Sequence, residues 1–219
     1  MSKEIKSAIS DSLKKIKADR GMDVSLMADL LNIPASTFET YLYARNLPSL
    51  DTVIRICNQF NHPINDFFAP LIGHATEQAL IARVYSSFGM LPEIKRKQVY
   101  QVIEPLIQSM ADDLPDLKIA GFGQKIRILR EDSRTTLVDA AESYGIKPDT
   151  LKVLEANQRL PSISTFLKLC KSLRVSPEYL LCNYLTYPFP VDNGFYFLKP
   201  RELAALAEVS RRLCRQISE

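Results

Sequence analysis

Apolar residues along this chain recur at spacings of three and four with charges between them, which is the period of helices packed on one face rather than of strands. Strand signals are few, and only seven glycines interrupt the pattern. The reading predicts an all-α protein, at least two-thirds helical. The same hydrophobic pattern also repeats. At an offset of 113 residues, with no gap, LPSLDTVIRICNQF (47–60) lies over LPSISTFLKLCKSL (160–173). Ser49 and Ser162 are each placed to cap a helix. One helix would bury Leu50, Val53, Ile54, Cys57 and Phe60, and the other Ile163, Phe166, Leu167, Cys170 and Leu173.

Carried backwards, the register pairs Leu13 with Ile126, Ile16 with Leu129, Met27 with Ala140, Ala28 with Ala141, Ile33 with Ile146 and Thr37 with Thr150, all expected to be buried. Small residues at Ala28 and Ala141 suit two short helices in close approach. Asn32 and Gly145 fall where the turn between them needs a positive φ, which Asn and Gly tolerate best. Pro34 and Pro148 suit the start of the next helix, where a missing amide proton costs nothing. Each repeat therefore predicts five helices, over residues 1–72 and 117–184.

Residues 73–116 are expected to form a helical linker, with helices over 75–88 and 92–111, the second ~30 Å long at ~1.5 Å per residue. The tail, 185–219, opens on an aromatic segment whose Asp192-Asn193-Gly194 suggests a short hairpin. A helix from about Pro200 to Ile217 follows.

The second repeat resembles the lambda-repressor-like family, the Cro, phage-repressor and xenobiotic-response-element type of helix-turn-helix. The resemblance rests on Ile-Arg-x-Leu-Arg at 126–130, Ala-Ala-x-x-x-Gly-Ile at 140–146, Glu155 and Leu-Pro-Ser at 160–162. The first repeat is a weaker copy, with Met27, Ala28, Ile33, Thr37, Leu47, Pro48 and Ser49 in the corresponding places. What the resemblance implies is two tandem units of this kind, each offering the N-terminal residues of its third helix to the major groove. The family usually has Gln at the start of the second helix, gripping a phosphate; this chain has Val24 and Leu137. Leu42 and Ala44 also replace the usual Glu and Gly, whereas the second repeat keeps Glu155 and has Asn157.

Charge separates the repeats further. Residues 1–72 carry eight basic and eight acidic side chains; residues 118–184 carry eleven against seven, and so hold the basic excess of a chain whose net charge is +3. Phosphate neutralisation supplies much of nonspecific DNA affinity, so the second repeat is the better DNA binder. Its candidate contacts are Lys147, Asp149, Thr150 and Lys152 on or just before the third helix, and Arg159 after it. The first repeat offers Ser36, Thr37, Thr40 and Arg45, with Glu39 opposing phosphate and Lys14, Lys15 and Lys17 on its first helix in compensation.

Other chemistry is thinly represented. Four cysteines without paired spacing and two histidines, His62 and His74, give no zinc pattern. Cys57 and Cys170 read as small buried hydrophobes. Asp112, Asp113 and Asp116 read as polar linker, Gly121-Phe122-Gly123 as too short for a phosphate loop, and Tyr184, Tyr187, Phe189, Phe195, Tyr196 and Phe197 as packing of the tail. No catalytic constellation, cofactor fingerprint, secretory signal or membrane span is found. The expectation is a cytoplasmic, non-enzymatic transcriptional regulator of double-stranded DNA, with repression favoured by the resemblance and homodimerisation left open. The alternative is a protein-interaction module, antitoxin-like or regulator-binding, in which one or both units no longer read DNA.

Overall fold

Ser49 and Ser162 do cap helices: Ser49 Oγ accepts the Thr52 amide at 3.1 Å, and Ser162 Oγ the Thr165 amide at 3.3 Å. The structure, a computed structural model, describes residues 2–72, 92–110, 121–173, 175–186 and 200–218, and among them there is no strand. The protein is all-α. Among the described residues, no helix is long and apolar enough to cross a membrane.

The chain divides into two units, one of residues 1–73 and 120–187 and the other of 74–119 and 188–219. The first contains α1 (Ser2–Arg20), α2 (Val24–Leu30), α3 (Ala35–Leu42), α4 (Leu50–Phe60) and α5 (Ile64–Ile72). Beyond α6 (Glu93–Met110), which belongs to the other unit, it continues with α7 (Phe122–Asp132), α8 (Leu137–Ser143), α9 (Pro148–Glu155), α10 (Ile163–Leu173) and α11 (Pro177–Leu181), then a single 3-10 turn. The helices α2, α3 and α4 begin and end 113 residues before α8, α9 and α10. Left-handed residues follow the same offset: Asn32 (φ 51) with Gly145 (φ 63), Ala44 (φ 56) with Asn157 (φ 55), and Gly21 (φ 59) with Arg134 (φ 52).

Leu13 and Ile126, Met27 and Ala140, and Ala28 and Ala141 are fully buried, as expected from the pattern. Ile16 is buried, but Leu129 is only half-buried, as are Ile33, Ile146, Thr37, Thr150 and Leu173. Four of these lie at the turn before the third helix or on its outward side, where the helix is held away from the core. Conversely Ile56 and Leu169, outside the expected face, are fully buried. The helix α10 packs against α5 as well as within its own set, so more than one face is covered.

The two helical sets share a core. Phe68 on α5 meets Phe166 on α10 edge-on, with centroids 5.7 Å apart, and Phe166 lies 6.3 Å from Phe122 on α7. Burial pushes the Cys57 and Cys170 thiols well above their ordinary pKa, in keeping with small buried hydrophobes.

At the start of α5 a histidine is buried with little help. His62 is 12% exposed in its side chain, stands edge-on to Phe67, and has the Asp66 carboxylate 3.4 Å away. Burial lowers its pKa from 6.5, with Asp66 opposing that shift. A histidine depressed in the folded state charges first in the unfolded chain, so stability is undiminished above pH 6.5 and falls as pH drops below it toward the depressed value. His62→Gln should flatten this part of the curve. Melting temperatures of both proteins between about pH 5 and 7 check it, and parallel curves would refute it.

The second unit contains α6 (Glu93–Met110), with Pro105 inside it, and α12 (Pro200–Ser218). Both agree with the expected helices within one residue at each end. They pack together, burying Val99 and Ile103 on one and Leu206, Ala207 and Cys214 on the other. Lys95 Nζ donates to the carbonyl of Ile217. The expected helix over 75–88, the Asp-Asn-Gly hairpin, the aspartates 112, 113 and 116, and the aromatics from Tyr187 to Phe197 lie outside the described residues.

Candidate nucleic-acid interface

The third helix of the C-terminal set is presented by its two flanking turns. Before it, Thr136 caps α8, its Oγ1 accepting the Asp139 amide at 3.2 Å, and the α8–α9 turn closes through Gly145 in the left-handed region. Lys168 Nζ reaches across to the carbonyl of Gly145 at 2.7 Å. Lys147 is then the N-cap of α9 and Pro148 its first residue. Leu151 and Leu154 bury the inner side, which leaves Lys147, Asp149 and Lys152 exposed and Thr150 half-exposed on the outer side. Arg159 is exposed in the loop beyond.

The other end of α9 is clasped by α7. Arg130 holds Glu155 through two hydrogen bonds, Nε to Oε1 at 2.7 Å and Nη2 to Oε2 at 2.9 Å, while Nη1 donates to the Thr135 carbonyl at 3.1 Å. The two side chains are 12% and 8% exposed. Those hydrogen bonds hold the Arg130 pKa above its ordinary value. One guanidinium thus joins α7, α9 and the turn entering α8. Beside it, Gly123 lets α7 approach so closely that a Cβ there would stand 2.0 Å from the Leu154 carbonyl oxygen. The Gly123 amide donates to Asn157 Oδ1 at 2.6 Å, which ties down the residue that ends α9 in the left-handed region.

The basic excess read from the sequence is thereby divided. Lys125 is fully buried, donating to the Tyr179 carbonyl at 2.9 Å and Asn183 Oδ1 at 2.8 Å. Arg127 pairs with Glu131 at 2.8 Å, Arg130 with Glu155, and Lys168 with the turn. Among the described residues, Lys147, Lys152 and Arg159 enter no ion pair, so their charges point to solvent. Counting residues could not separate these two groups, because only packing decides which cations are already occupied.

In the N-terminal set, α3 exposes Ser36 and Glu39 and half-exposes Thr37 and Thr40. Thr40 Oγ1 donates to the Thr37 carbonyl at 2.7 Å. Ser36, Thr37 and Thr40 line a surface hollow with Tyr41, Asn46 and Leu47. Arg45 is exposed, its guanidinium 5.7 Å from the centre of the Tyr43 ring, and its carbonyl accepts from Lys6 at 2.8 Å. Of the compensating lysines, Lys14 pairs with Asp11 at 4.0 Å and Lys15 with Asp66 at 3.5 Å. Leu42, at the place of Glu155, is buried, and Ser10 Oγ donates to its carbonyl at 2.5 Å where the C-terminal set has Gly123. Val24 and Leu137 begin α2 and α8, so neither helix opens with a side chain that grips phosphate.

The class this geometry defines is the helix-turn-helix: α8 and α9 across a tight turn, braced by α7 and α10. Residues 126–180 match the helix-turn-helix family model, of the Cro/C1 type. No curated protein and no solved structure matches the chain. Among the described residues no group of three or more His, Cys, Asp and Glu could hold a metal ion.

Proposed function

We propose that this protein is a sequence-specific, DNA-binding transcriptional regulator in which the helix-turn-helix unit of residues 117–184 carries most of the affinity and residues 1–72 are a second, degenerate unit. The observation that carries this is the exposed row Lys147, Asp149 and Lys152 at the start of α9, with Arg159 beyond it. Its cations are unpaired among the described residues and stand where a recognition helix meets base edges and phosphates. Repression follows from the family resemblance. The identical 113-residue spacing of helices and left-handed residues supports the second unit. Lys152 and Glu39 occupy the same repeat position, which supports the unequal division of affinity.

Lys147→Ala and Lys152→Ala should each weaken binding, by about 1–3 kcal/mol for a lysine that reads a base, or with a salt slope lower by about 1 for one that touches phosphate. Asp149 can accept a cytosine amino proton, so Asp149→Ala should change base preference more than affinity. In-vitro selection of duplex DNA by the whole protein, followed by anisotropy titrations over a salt series, checks both. No enrichment at low salt would sink the regulator reading.

A second reading is favoured by one feature of the N-terminal set. Leu26 (47% exposed), Leu30 (41%) and Tyr43 (56%) put three large apolar side chains on the surface of α2 and the end of α3, where the C-terminal set has Asp139, Ser143 and Ala156 and on α8 exposes Val138 (60%). Such a surface suits a protein partner better than a phosphate backbone.

A further inference from the structure

Between α5 and α11 the structure pairs a residue with its own repeat counterpart. Asn65 Nδ2 donates to Glu178 Oε2 at 2.7 Å, and the Glu178 amide donates to Asn65 Oδ1 at 3.3 Å; the two residues are 113 apart, the repeat offset itself. Asn65 is 5% exposed and Glu178 fully buried, so this contact lies inside the core and is not an accident of surface side chains. Equivalent residues touch each other where a rotation axis relating the two copies passes between them, and the two-fold is the axis that most paired units use. In a head-to-tail arrangement, the same patch on one copy would face a different patch on the other. The packing of α5 on α11 thus sets one repeat position against itself, as happens at the centre of a symmetric homodimer, but within one chain.

From this self-pairing of Asn65 with Glu178 we infer that a single chain acts as a built-in pseudo-dimer, presenting α3 and α9 to two inverted half-sites of one DNA duplex. The inference rests on the DNA-binding reading above and adds the form of the target. A two-fold axis that relates Asn65 to Glu178 also relates α3 to α9, because both pairs share the 113-residue offset. The half-sites are inverted but unlike in sequence. One faces Ser36, Glu39 and Arg45, and the other Lys147, Asp149 and Lys152, so where the first presents a carboxylate the second presents an ammonium. The preferred operator is an imperfect palindrome with its centre on the α5–α11 contact. Its half-sites should be separated by about 34–36 Å, one turn of the duplex, or a multiple of it.

The test uses the full chain, since the two helical sets share a core. Duplexes selected by the purified protein are footprinted, and the mass of the complex is measured at saturation. Arg45→Glu and Lys152→Glu, both at exposed positions, are compared with the parent on the same duplex. The expected result is one chain per duplex protecting two inverted segments, with each variant losing tenfold or more in affinity and protection of a different segment. One chain protecting a single segment, or two chains protecting one segment each, would overturn the pseudo-dimer and leave the DNA reading standing. Failure to enrich any duplex would overturn both.

Discussion

Gly123→Ala is expected to destabilise the protein by about 2–3 kcal/mol, the upper range for forcing an extra methyl into a filled site. The new Cβ would lie 2.0 Å from the Leu154 carbonyl oxygen and 2.8 Å from that of Glu155. Both are backbone atoms of α9, so no rotamer change relieves the contact and the helix itself must move. Gly121→Ala is the control, because its Cβ would meet only the Asn157 side chain, at 3.0 Å. Urea unfolding of the two variants should show the larger loss at Gly123, with weakened DNA binding because α9 is displaced. Equal midpoints for Gly123→Ala and the parent would show that α7 and α9 do not approach this closely. Ser10 stands at the corresponding place in the N-terminal set and donates its hydroxyl to the Leu42 carbonyl, so that helix pair has room for a Cβ.

Glu155→Leu should cost about 3 kcal/mol, because it leaves the largely buried Arg130 guanidinium with only the longer Glu131 contact at 3.6 Å and the Thr135 carbonyl. Removing one partner of such a pair is costly, whereas replacing both with apolar groups can be close to neutral. The double variant Arg130→Leu, Glu155→Leu should therefore lose less than Glu155→Leu alone. The N-terminal set already lacks the pair: Leu42 is buried where Glu155 stands, and Lys17 takes the place of Arg130. A double-mutant cycle by thermal or denaturant unfolding measures the coupling. Strictly additive losses would mean that the hydrogen bonds at 2.7 and 2.9 Å contribute nothing beyond their separate side chains.

The sequence by itself determined the helical fold, the bounds of α6 and α12 within a residue, the capped starts of α4 and α10, and the left-handed turns at Asn32 and Gly145. These are local matters. The 3.6-residue period, the capping serines at 49 and 162, and an Asn or Gly where φ must be positive act over a few neighbours and leave their mark in the order of residues. The candidate interface was legible for the same reason: Lys147, Asp149 and Lys152 follow directly from a turn and a helix start.

Tertiary structure alone decided how those elements are used. Nothing in Gly121-Phe122-Gly123 says that a carbonyl 31 residues further along will stand against the second glycine. Nor does composition show that Lys125 is buried, that Arg130 is consumed by Glu155, or that Lys147 and Lys152 are left to solvent. The pairing of Asn65 with Glu178 was hidden as well, because unlike residues at one repeat position look like drift until they are seen in contact. Which charges are free and which helices touch depend on groups distant in the chain being brought together, and no period or cap records that.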